Sequence, residues 1–357
     1  VPLDKTHVCD HRRSHVTPGL YGCRVKGICT LDDCLRCGSH SDPSQRVDDG
    51  LINLLPKPQV IGQGYHRSGW PFVMDALRKI NGNSGILFDD FVEQTWIYSS
   101  RQEPIRQPWA GIFHHPPNPP QWTRRQDRID TLRNNPAFAE SIQNLKLAVC
   151  LSNYLAEWIE ANWDVRTAVV RHPTEVPIDK WQPESWLHAK RLLQCGWYLR
   201  NTRLIFEVDT MQHRTRLMPQ REHNQIHDRS CRHAMENRDE YRAADVLDLP
   251  FVDPSGYDFL LARSVVCMEV LDAAANNVTL ECLARNTPLI VNQHPAVVEY
   301  LGPDYPLYFD DHRQIAGMIE DEALILAGHE YLKAANKSFL DASAFVDGIA
   351  TAVGAVQ

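Results

Sequence analysis

No stretch of this 357-residue sequence stays apolar for the roughly 18–20 residues that a helix needs to cross a bilayer, so an ordinary membrane-spanning helix is excluded. Positive charge is also short. Lys+Arg number 37 against 45 Asp+Glu, a net charge of −8, whereas a nucleic-acid backbone calls for a basic field. Nucleic acid is therefore not expected as the main partner, although a local basic groove is compatible with the count. No segment recurs at the spacing of a solenoid or propeller repeat. The first residues lack the charged-then-apolar order of a secretory signal. The chain starts at Val1 without Met, which leaves prior removal of such a signal open.

What is present is the composition of a soluble globular protein, 43% hydrophobic and 23% charged, at a length that suits two domains. The ten cysteines are unevenly spread: Cys9, Cys23, Cys29, Cys34 and Cys37 crowd the first 37 residues. Cys150, Cys195, Cys267 and Cys282 fall inside apolar strand or helix patterns, where buried free thiols belong. That distribution fits a reducing, cytoplasmic setting, with a peripheral membrane association as the variant. Residues 1–50 form a Cys/His-rich extension without periodic apolar pattern. Cys23, Cys29, Cys34 and Cys37, with histidines nearby, offer ligands for a structural zinc. The spacing matches no standard two-pair pattern, so disulfides or free thiols stand beside zinc as readings.

From residue 59 the texture changes to strands alternating with helices. "QVIGQG", "GILFDDF", "WAGIFHHPP", "LKLAVC" and "RTAVVRHP" read as strands of one series. "TEVPIDKWQPESW" has no strand pattern and reads as a linker. "RLLQCGWYLR", "ADVLDLPFV", "SVVCMEVLDA" and "TPLIVN" form a second series. The charged run 207–243 between its members reads as a solvated helix plus loop. This alternation predicts two α/β domains with parallel, doubly wound, Rossmann-like sheets. Their expected extents are 51–175 and 176–330, followed by a C-terminal helix at 331–357 free to cross back to the first domain. Ligands of such sheets bind outside the carboxyl ends of the strands, which directs attention to the loops there.

The stretch "NNVTLECLARNTPLIVNQHPAVVEYLG" (276–302) holds residues that an ordinary strand–helix unit does not require. Asn276 or Asn277 can cap a helix over 278–285, and Asn286 before Thr287-Pro288 can stop it. A helix starting there turns free N–H groups toward the cleft, a seat for phosphate. Glu281, one turn in, can accept from a ribose diol or merely complement the helix dipole. Arg200 and Arg203 offer positive charge for a diphosphate or lie on the surface. Glu299 can brace the loop or reach a sugar. His114 and His115 end a strand just before Pro116 and Pro117; they offer a general base, a hydrogen bond to a sugar hydroxyl, or packing against Trp109 or Trp122. "VIGQGYHRSG" places Gly62 and Gly64 after a strand, which suggests a nicotinamide-dependent oxidoreductase. Gly69 follows Gly64 by five residues instead of three, so that turn does not fit; the alternative is a close approach of the glycine loop to acceptor or donor.

Residues 266–309, together with "SGWPFVMDALRKI", "GIFHHPPNPP", "LSNYLAEWI" and "RHPTE", resemble GT-B glycosyltransferases, in particular bacterial and viral members of the group 1-like type. The likeness covers roughly residues 55–335. It implies a nucleotide-sugar donor on the second domain and an acceptor (a glycan, a lipid-linked glycan, a protein or a small molecule) on the first. It also implies a ribose contact for Glu281 and diphosphate contacts for Arg200 and Arg203. Retaining members carry a Glu, seven residues, then a second Glu. Here Ala273, beside Asp272, stands at the first position, and a two-domain binding protein without turnover is the other reading of that change.

Overall fold

A computed structural model describes residues 20–23, 27–30, 50–57, 69–123, 125–177, 179–217, 246–249 and 252–357. Strands β1 (Leu20–Cys23) and β2 (Gly27–Thr30) pair antiparallel as a separate two-stranded ribbon. The side chains of Cys23 and Cys29, and all of Cys34 and Cys37, lie outside the described residues, as do Gly62 and Gly64. Among the described residues no cluster of His, Cys, Asp or Glu is arranged to hold a metal ion, and no helix is long and apolar enough to cross a membrane.

The rest of the chain builds two parallel sheets. The first runs β3 (Ile52–Leu54), β4 (Ile86–Asp89), β5 (Trp109–Phe113), β6 (Leu145–Cys150) and β7 (Thr167–Val169), in chain order. Every residue of β5 is buried, as expected of a central strand covered on both faces. One face packs on Val92, Trp96, Leu132, Phe138, Leu155 and Ile159. The other packs on helix α1 (Trp70–Leu77) and on Phe345, Ile349 and Val353 of the last helix (Ala342–Gly354), which returns from the chain end. Helix α2 (Asn153–Trp163) follows β6 directly, capped by the Ser152 hydroxyl.

The second sheet has the order β10 (Val246–Leu249), β9 (His213–Leu217), β8 (Arg191–Cys195), β11 (Val265–Met268), β12 (Leu289–Asn292), β13 (Tyr308–Phe309), all parallel. The chain reverses direction across the sheet between β8 and β11, which makes that point the topological switch where doubly wound sheets take ligands. Helix α3 (Pro254–Leu261) leads into β11, α4 (Asn277–Arg285) joins β11 to β12, and α5 (Pro295–Leu301) follows β12.

The strand expected at "QVIGQG" lies outside the described residues; the sheet has a further strand, "INL" at 52–54. One expectation needs correction. The charged run 207–243 is not all solvated: "HRTRL" is β9, paired on both sides, with Arg214 and Arg216 buried. Alternation hides behind those arginines because each is satisfied locally. Arg214 Nη1 donates to the Val208 carbonyl at 2.9 Å, and the Arg216 guanidinium lies 4.8 Å from the Phe206 ring centre.

Candidate functional site

The loops at the switch point meet. After β8, Gly196 adopts φ +76°, and a Cβ there would stand 2.0 Å from Arg200 Nη1, so the bend and the seat of Arg200 both require glycine. Arg200 Nη1 donates to the Cys195 carbonyl at 2.6 Å, and Nη2 donates to Asn276 Oδ1 at 3.3 Å. Asn276 is the N-cap of α4, and the same oxygen accepts from the Thr279 N–H at 3.2 Å. A guanidinium is thus fixed to the start of a helix whose first N–H groups carry the positive end of its dipole. Burial pushes the Arg200 pKa down, opposed by the nearby Cys195, Tyr257 and Glu281 groups. Arg203 is buried beside this loop, its N–H held by Asn201 Oδ1 at 3.0 Å. Asn277 is half-buried at the first turn. Asn286 ends α4 in the left-handed conformation at φ +61°.

Glu281 is fully buried, and its Oε2 accepts from the Tyr257 hydroxyl at 2.6 Å. Tyr257 comes from α3, so the carboxylate ties two helices of the second sheet's face. One turn on, Arg285 is fully buried and forms an ion pair with Asp258.

The carboxyl end of the first sheet holds a different set. Lys57 Nζ lies 2.5 Å from Asp89 and 2.8 Å from Asp90, and also donates to the Phe91 carbonyl at 3.0 Å. Burial opposes the Lys57 charge, but the two carboxylates outweigh it and raise its pKa; burial likewise pushes Asp89 up, against the pull of Lys57. Trp70 Nε1 donates to Asp90 Oδ2 at 2.7 Å. The His114 ring stands 4.0 Å from Phe91 and 4.3 Å from Trp70 between ring centres. Its Nε2 is 3.2 Å from the Asp90 carbonyl, which can only accept, so Nε2 carries the proton and Nδ1 is the acceptor. Burial pushes the His114 pKa well below the ordinary range, which keeps the ring neutral. His115 turns elsewhere: its Nε2 is 3.2 Å from the Tyr98 hydroxyl, and its ring lies 6.2 Å from Tyr198 of the second sheet's loop.

Asp272 closes the space between the two sheets. Its Oδ2 accepts from the Asn118 N–H at 2.6 Å, while Oδ1 meets the Tyr154 hydroxyl and His294 Nε2, each at 3.0 Å. His294 Nδ1 accepts from the Ala296 N–H at 3.2 Å, which leaves Nε2 to donate to Asp272. Glu299 accepts from the Asn153 and Tyr154 N–H groups at 2.7 and 2.8 Å, capping α2 from the opposite body. Tyr300 adds a third tie by donating to the Leu151 carbonyl at 2.6 Å.

The sequence-derived candidates therefore do not form one cluster. Arg200, Arg203, Asn276 and Asn277 gather at the switch point, Glu281 lies beneath them, and Asp272 and Glu299 bridge the two bodies. His114 and His115 lie at the end of β5, and Gly69 opens α1 at its N-cap. Sequence reasoning missed Lys57, Glu93, Tyr154, Tyr257 and His294. No local spacing marks them, because their partners come from distant segments. His294-Pro295, a cap before a helix-starting proline, marks a helix start but not the bond to Asp272.

Neither a family model nor a curated protein matches the sequence. Solved structures match on shape. The trehalose-phosphate synthase (UDP-forming) of Burkholderia vietnamiensis shares 16% identity at TM-score 0.50 over 80% of this chain and 77% of its own. The sucrose-phosphate synthase of Thermosynechococcus elongatus shares 12% at TM-score 0.52 over 74% and 72%. Anabaena HepE in complex with UDP and glucose shares 13% at TM-score 0.51 over 76% and 78%. With two parallel α/β sheets facing one another in the same arrangement as these glycosyltransferases, the chain has the GT-B fold.

Proposed function

We propose that this chain transfers a sugar, of hexose type, from a nucleotide-sugar donor to an acceptor. The donor rests on residues 176–330 and the acceptor on 51–175. The observation that carries the reading is the bond from Arg200 Nη2 to the Asn276 cap, which fixes a buried cation against a helix N-terminus at the switch point. A nucleoside diphosphate is the ligand that such a seat favours, its phosphates meeting both the N–H groups and the guanidinium. Arg203 supplies a second positive charge and Asn277 a polar side chain at the same helix turn. HepE, of the same fold, has been solved with UDP-glucose, and uridine donors are therefore the first to test.

Glu281 is covered in this structure, so its ribose contact requires the site to open around the Tyr257 hydroxyl. In the closed form its effect is to place negative charge near Arg200. On the acceptor side, the neutral His114 ring offers Nδ1 to an incoming hydroxyl as a hydrogen-bond acceptor. With its pKa so low, the ring orients the hydroxyl better than it holds the proton. Ala273 leaves the first acidic position of the retaining pattern empty, and neighbouring Asp272 is engaged by Asn118, Tyr154 and His294. That engagement favours, as a second reading, a clamp that binds a nucleotide sugar without transfer. Release of nucleoside diphosphate from a panel of nucleotide sugars, run beside calorimetric UDP binding, separates the two. Binding with turnover supports transfer, binding alone supports the clamp, and neither removes the switch-point assignment.

A further inference from the structure

One buried acid that none of these roles uses is Glu93. It precedes the π-helical turn Gln94–Tyr98 and is fully buried. Its Oε1 accepts from two successive backbone N–H groups, His114 at 2.9 Å and His115 at 2.8 Å. Its Oε2 is buried and has no hydrogen-bond partner among the described residues. The two N–H groups belong to the bend that sends the His114 ring toward Trp70 and Asp90 and the His115 ring toward Tyr98 and Tyr198. One carboxyl thus holds both amides of that bend at once.

We propose that Glu93 is a positioning residue: it fixes the His114–His115 bend through both amides, and its hold tightens when the carboxyl ionises, which makes the orientation of the two histidines pH-dependent. For its consequence on catalysis this rests on the sugar-transfer reading; for the bend itself it does not. Charge on an acceptor oxygen roughly doubles the strength of an N–H bond to it, so the ionised acid grips the bend and the neutral acid loosens it. The groups facing Glu93 are Asp89 at the end of β4, His114 and His115 at the end of β5, and Cys150 at the end of β6. Burial pushes the Glu93 pKa up to about 7, the two amide bonds and the Asp89 charge pulling in opposite directions on it. Asp89 itself is offset by Lys57. The acid therefore changes form in the physiological range.

The test is Glu93→Gln, which keeps an oxygen for both amides and removes the titration. In the wild-type protein the amide ¹H shifts of His114 and His115 should move together as pH passes through about 7. In the variant that shared step should vanish. If Glu93→Gln leaves the shared step in place, or the wild-type amides show none, the proposal is overturned. Should the variant fail to fold, the wild-type titration alone decides. Where a donor is turned over, the wild-type rate should fall on the acid side of about pH 7, and the variant should run about five- to tenfold slower with that acid limb flattened. A wild-type acid limb that persists unchanged in the variant would also sink the idea. If no donor is turned over, the amide titration still reads Glu93 while the transfer reading fails, so the two failures are distinguishable.

Discussion

The carboxyl ends of the two sheets are built from the same architecture and carry opposite chemistry. At the first sheet, Asp89 and Asp90 pair with Lys57 and the acid Glu93 is buried nearby, with Trp70, Phe91 and His114 as an aromatic wall. At the second, Arg200 and Arg203 stand beside the start of α4. An anion is opposed at the first end and favoured at the second. Parallel strands and crossovers direct both ends toward one cleft, but only side chains outside the strand pattern assign them different ligands. The bridge through Asp272 and Glu299 ties the bodies that carry these two unlike ends.

Removing the cation should break that contrast most strongly. Arg200→Met deletes two charge-assisted bonds, each of the class that contributes about 1.5–3 kcal/mol, and removes the positive charge from the switch point. UDP affinity per folded molecule should fall by about 10²-fold or more, with a loss of stability as the Cys195 carbonyl and the Asn276 amide lose a donor. Calorimetry at matched folded fraction checks it. Unchanged UDP affinity would place the anion elsewhere and dissolve the comparison between the ends. Gly196→Ala should act in the same direction, because the added Cβ collides with Arg200 Nη1 and the left-handed bend is strained.

A smaller effect comes from the bridge. Asp272→Asn keeps one acceptor oxygen but presents an amide to donors on at least one side, since Asn118, Tyr154, His294 and Ala273 all donate to this carboxylate. The loss should be about 1.5–3 kcal/mol of stability. The two bodies should separate, seen as a larger radius of gyration in small-angle scattering. An unchanged radius with normal stability would mean that Glu299 and Tyr300 hold the bodies together without Asp272.

Much of this was legible in the sequence, and the reasons are local. Apolar runs such as "WAGIF" and "SVVCM" announce covered parallel strands, and Asn276, Asn286 and Ser152 announce helix ends. Strand β9 was hidden because Arg214 and Arg216 look like solvent-facing charge until their partners at Val208 and Phe206 are known. Glu93 was hidden for the same reason in reverse. Its two amides lie 21 and 22 residues away, and no spacing rule spans an entire strand crossover. Glu299 was legible only as a pair of options, bracing the loop at 276–281 or reaching a sugar; its observed bonds go to Asn153 and Tyr154, 146 and 145 residues distant, which no spacing marks.

The finest test separates two adjacent asparagines. Asn276 caps α4 and accepts from Arg200; Asn277 begins the helix and is half-buried. Asn277→Ala should therefore change stability by no more than about 0.5 kcal/mol, since it removes no cap. Asn276→Ala should cost about 1 kcal/mol as the Thr279 N–H loses its partner. The informative change is Asn276→Asp. A carboxylate there still caps, adds about 0.3–1 kcal/mol through the helix dipole, and pairs with the Arg200 guanidinium. The melting temperature should rise. The same negative charge, however, occupies the seat proposed for the phosphates and neutralises their cation, so UDP affinity should fall while stability increases. A structural cap alone gives the first result without the second. If Asn276→Asp stabilises the protein and binds UDP as tightly as before, the helix start is an ordinary capped terminus, and the charge contrast between the sheet ends has no bearing on the donor.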